Sequence, residues 1–110
     1  MNQKTFNKTV KTRIREIEGM LTSKGAEYAG ADRLSNFKEG ASFRQRTPEG
    51  VCMDYVTKHI IALNEFIARI ESGVEVKSEQ WVEKTQDIAI YMILMEAILI
   101  DQGRIDNAGL

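Results

Sequence analysis

Residues 78–102, SEQWVEKTQDIAIYMILMEAILIDQ, do most to limit the folds open to this chain. Between positions 88 and 100 the only charged residue is Glu96. The run is too short to span a membrane, which takes about 20 apolar residues. Apolar side chains fall on every side of it, so as a helix it has to be buried all round. For a chain of 110 residues that means the centre of a bundle or a subunit interface. Its polar first half carries Glu83 and Asp87, four residues apart, at the mouth of this apolar run.

The rest of the chain repeats the helical theme. Phe6, Val10, Ile14, Ile17 and Leu21 recur at spacings of three and four, which predicts an amphipathic helix over about 5–23. Lys and Arg dominate its front half and oppose the helix dipole, so a frayed start is expected. Gly25 is read as its stop. Residues 24–50 are glycine-punctuated and irregular, with a short helix expected over 34–43. A loop of that length in a small domain is functional or disordered. Tyr28, Leu34, Phe37 and Phe43 argue against disorder. Thr47-Pro48 reads as an N-cap with proline in the first turn. From there to about position 72, Cys52, Val56, Ile60, Leu63, Ile67 and Ile70 recur at helical spacing, and Gly73 stops the helix. A short link leads to Ser78, read as the next N-cap, which makes the last two helices antiparallel neighbours. The expectation is an all-α fold: one domain over 1–110, an antiparallel bundle of three main helices plus a loop-rich segment. Oligomerisation would complete it.

Composition narrows the function classes. A net charge of −1 gives no electrostatic case for binding nucleic acid or an anionic membrane. The basic N-terminus has no apolar core behind it, so it is not a secretory signal, and the chain reads as cytoplasmic. The single cysteine, Cys52, lies in an apolar run and reads as a buried structural thiol.

The chemistry-bearing candidates lie in three places. On a helix, Glu83 and Asp87 project within about 40° of each other and can hold a hard cation such as Mg²⁺. They can equally be a solvated face, since Trp81, Val82, Thr85 and Ile88 lie opposite. Asp54, Lys58, Glu65 and Arg69 form a polar row on the preceding helix. Either these are solvated pairs, or Asp54 and Lys58 stand across a groove from Glu83 and Asp87, with Lys58 meeting a phosphate and Asp54 adding a ligand. His59 adjoins Lys58 and has no second histidine or cysteine at zinc spacing. In the irregular segment, Arg33 could clamp a phosphate, Asn36 read a base edge, and Tyr28 or Phe37 stack on one, beside Glu27. The same aromatics could simply pin the loop to the bundle.

Taken in order, KGAEYAGADRLSNFK, DYVTKHIIAL and EKTQDIAIYMILMEAIL resemble segments of small phage and prophage proteins of the MazG-like, all-α nucleoside triphosphate pyrophosphohydrolase kind. Those relatives share a K-G-x-x-Y-A segment, R-L-x-N-F, a K-H pair (here Lys58 and His59) and D-x-x-x-Y (here Asp87 and Tyr91). The resemblance spans about 24–100. It implies a helical homodimer or tetramer binding Mg²⁺ through helix-borne acids, and cleavage of a nucleoside triphosphate between the α and β phosphates. Asp87 matches the closing acid of the family's E-x-x-D, while Lys84 stands where its partner acid belongs. The E-E-x-x-E cluster has no clean counterpart, because Glu16 and Glu18 sit two apart. A non-catalytic module that sequesters a nucleotide or docks on a host protein stays open beside the enzyme.

Overall fold

A computed structural model describes residues 1–28, 32–107 and 109, and of residues 24–28 the backbone alone. Four helices and no strand occur among the described residues: α1 (Gln3–Tyr28), α2 (Ser35–Arg44), α3 (Pro48–Glu71) and α4 (Ser78–Asp101). The chain divides into two compact units, residues 1–33 and 34–110.

In the first unit α1 begins at Gln3, and the Asn2 side chain accepts from the Thr5 amide at 2.9 Å. That bond satisfies a backbone donor the helix itself cannot, and it offsets the unfavourable basic start. The backbone stays helical through Gly25, so the expected stop there does not occur. A glycine in a helix costs about 1 kcal/mol relative to alanine, too little to end a helix whose neighbours favour it.

In the second unit α3 and α4 form a hairpin. Cys52 Sγ donates to the Tyr91 carbonyl, His59 faces Asp87, and the Phe66 ring meets Trp81 edge-on at 5.4 Å. Partners on α4 therefore fall in number as those on α3 rise, which makes the two helices antiparallel. Both ends of α3 follow from local chemistry. Thr47 accepts from the Gly50 amide at 3.1 Å with Pro48 behind it, so one orphan donor is satisfied and the imide sits where no donor is needed. At the other end Gly73 takes φ +88°, which L side chains rarely adopt, and the Val74 amide reaches back to the Arg69 carbonyl. The start of α4 lies one residue before the expected cap: Lys77 holds the N-cap position without a side-chain bond, and Ser78 is already helical.

The short helix expected over 34–43 is α2. Leu34, Phe37 and Ala41, three and four residues apart, present one apolar face to Val51 and Cys52 of α3 and Ile98 of α4. Tyr55, Tyr91, Leu94, Met95 and Ala97 pack round this core half-buried. Outside it, Lys38 pairs with Asp101 at 2.9 Å across the exposed rim. Burial of α4 differs from the expectation. Among its residues Gln86 and Ile98 are buried, while Met92 and Ile93 are exposed. Two helices cannot enclose a third element on all sides, so within the second unit the apolar run is open along one edge. No described helix is long and apolar enough to cross a membrane.

Candidate functional site

The polar centre of the second unit lies on the facing sides of α3 and α4. Tyr55 and His59 are one turn apart on α3, Asp87 and Tyr91 one turn apart on α4, so each pair shares a face of its helix. Across the gap His59 Nδ1 lies 3.6 Å from Asp87 Oδ2, within ion-pair range but beyond a hydrogen bond. That nitrogen is buried and has no hydrogen-bond partner. The imidazole stacks on Tyr91 with centroids 5.5 Å apart, and Tyr55 lies 6.0 Å from Tyr91 on its other contact. Aromatic packing thus fixes the histidine beside a carboxylate that its ring nitrogen does not reach.

Burial first, and the nearby Asp87 charge second, raise the Tyr91 phenol above its ordinary range. Burial also pushes the Cys52 thiol up to about 11 from 9.0. The fully buried Cys52 is therefore the inert structural thiol that its apolar neighbours suggested. Its titration has a stability consequence. Between pH 9 and 11 the unfolded chain loses the thiol proton while the folded chain keeps it, so stability falls as pH rises through that window. The loss should amount to about 2–3 kcal/mol. Urea midpoints measured across this range should fall for the wild type and fall less for Cys52→Ala, the remaining slope coming from Tyr91.

The other candidates separate. Glu83 is exposed one turn before Asp87, and Lys84 between them is half-buried. Asp54 lies against Arg46 at 3.5 Å and Arg44 at 4.0 Å, towards the end of α2. Lys58 is exposed. The residue of α3 opposite Asp87 is therefore His59 rather than Asp54 or Lys58, because Asp54 projects about 140° away from His59 on the helix. Among the described residues no three His, Cys, Asp or Glu side chains gather as a metal-binding group, so Asp54 does not join Glu83 and Asp87. Glu83 and Asp87 remain two hard oxygen donors one turn apart. Such a set suits Mg²⁺ when phosphates and water complete its shell.

Phe37 is corrected outright. At 6% exposure it belongs to the core with Leu34 and Ala41 and cannot offer a ring face to a base. Asn36 beside it is exposed on the first turn of α2. Arg33 belongs to the first unit, where it reaches the Leu21 carbonyl at 3.5 Å. The side chains of Glu27 and Tyr28 lie outside the described residues. Glu16 pairs with Arg13 at 3.0 Å on the exposed surface of α1. The residue that sequence reasoning passed over is Tyr55. Its signal was its place four residues before His59, mirroring the spacing of Asp87 and Tyr91.

Comparison of the chain with protein-family models, with curated proteins and with solved structures finds no match.

Proposed function

We propose that this chain is a cytoplasmic, oligomeric nucleotide-handling protein, a dimer or tetramer, which binds a nucleoside triphosphate with Mg²⁺ and hydrolyses it to monophosphate and pyrophosphate. The observation that carries the reading is Asp87, half-buried beside His59 and one turn before Tyr91, with exposed Glu83 one turn away towards the linked end of the hairpin. Glu83 and Asp87 are the residues that would hold the cation. When bound, Mg²⁺ would supply charge neutralisation for the phosphates and a more acidic water. His59 acts as a positioning residue for Asp87, its ring orientation fixed by Tyr91. Lys58, exposed one residue before His59, is placed to meet phosphate charge and has no ion-pair partner among the described residues. The ordered resemblance of residues 24–100 to the MazG-like enzymes supplies the reaction class.

A second reading has its own support. Lys84 occupies the position of the family's partner acid, and no three-donor group forms among the described residues. Both features suit a descendant that holds a nucleotide, or docks on a host protein, without turning it over. Calorimetric titration with a non-hydrolysable α,β-methylene triphosphate, in Mg²⁺ and in chelator, tests the part common to both nucleotide readings. Metal-dependent binding is the expected result. Absence of binding in either buffer leaves Glu83 and Asp87 as a solvated helix face.

A further inference from the structure

The net charge of −1 averages over an uneven distribution. Residues 1–15 hold five cations, Lys4, Lys8, Lys11, Arg13 and Arg15, and no acid, while residues 16–110 hold ten cations and sixteen acids. Four of the five share one face of α1, because steps of four, three and four residues keep side chains within about 60° of one another on a helix. Lys4, Lys8, Lys11 and Arg15 line an open groove there together with Asn7 and Thr12. All four are exposed, and none has an ion-pair partner among the described residues. Arg13 lies about 170° round the helix from the middle of the row and pairs with Glu16.

The stability of α1 does not account for this row. Like charges three and four residues apart repel along a helix, and Lys4 in the first turn meets the positive end of the dipole with no acid beside it. From Lys4 to Arg15 the row is one positive stripe about 16 Å long, at 1.5 Å per residue. A nucleic-acid duplex carries about one negative charge per 1.7 Å of axis, so a stripe of this length meets more phosphates than it has cations. A lipid surface fits the row less well. Phe6, Val10 and Ile14 project about 130° away from it, so a helix sunk on those side chains turns its cations away from the headgroups. No aromatic ring lines the groove for an unpaired base to stack on, which favours a duplex over a single strand.

We infer that the face of α1 bearing Lys4, Lys8, Lys11 and Arg15 is a docking surface for the phosphate backbone of a nucleic-acid duplex. Lysine and arginine contacts to phosphate hold a protein on a duplex without reading its bases, so duplexes of unrelated sequence bind alike. The row lies on α1 alone and is set by the backbone of that helix. It is the same whatever covers Phe6, Val10 and Ile14, and whatever the chemistry at Asp87.

The test is fluorescence anisotropy of a labelled DNA duplex titrated with the full-length chain, at salt from about 50 to 200 mM. Four phosphate contacts predict a log–log salt slope of about −3.6, a loss of affinity on the order of 100-fold across that range. Lys8→Gln removes one cation while keeping a good helix former, so the slope should shrink by about 0.9. Arg13→Gln removes the same charge from the far side of α1 and should leave the slope unchanged. Lys4→Gln/Lys8→Gln/Lys11→Gln/Arg15→Gln should abolish binding at the lowest salt with the helical circular-dichroism spectrum kept. Absence of duplex binding by the wild type at that salt overturns the proposal. Equal changes of slope in Lys8→Gln and Arg13→Gln overturn it as well, because overall charge rather than the row would then hold the duplex. Co-sedimentation with phosphatidylserine vesicles, without binding to the duplex, would assign the face to an anionic membrane instead. None of these results touches the triphosphate titration, so the two proposals fail separately.

Discussion

Asp87→Asn should lower Mg²⁺-dependent pyrophosphate release on the order of 100-fold or more, with the helical circular-dichroism spectrum unchanged. The substitution keeps the shape of the side chain and removes its charge. It therefore weakens the proposed hard-cation ligand without opening a cavity beside His59. An independent readout comes from Tyr91, whose phenol is raised by burial and then by the Asp87 charge. With the charge gone, ultraviolet titration of the tyrosines should show this phenol ionising at lower pH than in the wild type. The direction follows because a neighbouring anion disfavours the phenolate. A variant that shifts the phenol but hydrolyses at the wild-type rate would remove Asp87 from the metal site while leaving the described geometry intact.

Ile98→Ala should cost about 2–5 kcal/mol of stability, the range for emptying a well-packed isoleucine site. Ile98 is 2% exposed where α2, α3 and α4 meet, among Leu34, Phe37, Ala41, Val51 and Cys52. Those neighbours come from α2 with its N-cap Leu34 and from α3, packed against α4 itself, so the space has little freedom to collapse. For a domain of this size the loss is a large share of the total, which runs at about 0.05–0.15 kcal/mol per residue. Ile61→Ala, at an exposed position of α3, should stay within about 0.5 kcal/mol. Denaturant unfolding followed by circular dichroism gives both values. Equal losses at the two sites would mean that the core is not where α2 closes the hairpin.

The parts of this fold that were legible in the sequence are those decided by local chemistry. Thr47-Pro48 and Gly73 mark the ends of α3 because a hydroxyl acceptor, a missing donor and a positive φ each depend on one residue. The helical pattern of α4 was legible, but its burial was not, since how much of a helix is covered depends on how many neighbours the chain supplies. The same limit applies to α3. Cys52, Val56, Ile60 and Ile67 read as one continuous apolar row, and only the position of α4 separates inward from outward members. At the site, Asp87 and Tyr91 were visible as a spaced pair within one helix. The partnership of His59 with Asp87 was not. Equal reach from the Gly73–Lys77 link would bring Leu63 to the level of Asp87, and side-chain packing sets the register about one turn away. Phe37 illustrates the reverse error, because an aromatic in a glycine-rich stretch carries the same signature whether it pins the stretch or faces a ligand.

The central claim, that Glu83 and Asp87 make a magnesium-dependent nucleotide site, is tested most directly by assaying pyrophosphate release. The assay takes a panel of ribo- and deoxyribonucleoside triphosphates, with Mg²⁺ and with chelator. Release from one or a few of them that requires the metal is the predicted result, and it identifies the substrate. No release from any, in a sample shown to be folded and of fixed mass, would contradict the enzyme and leave the non-catalytic binding protein in its place.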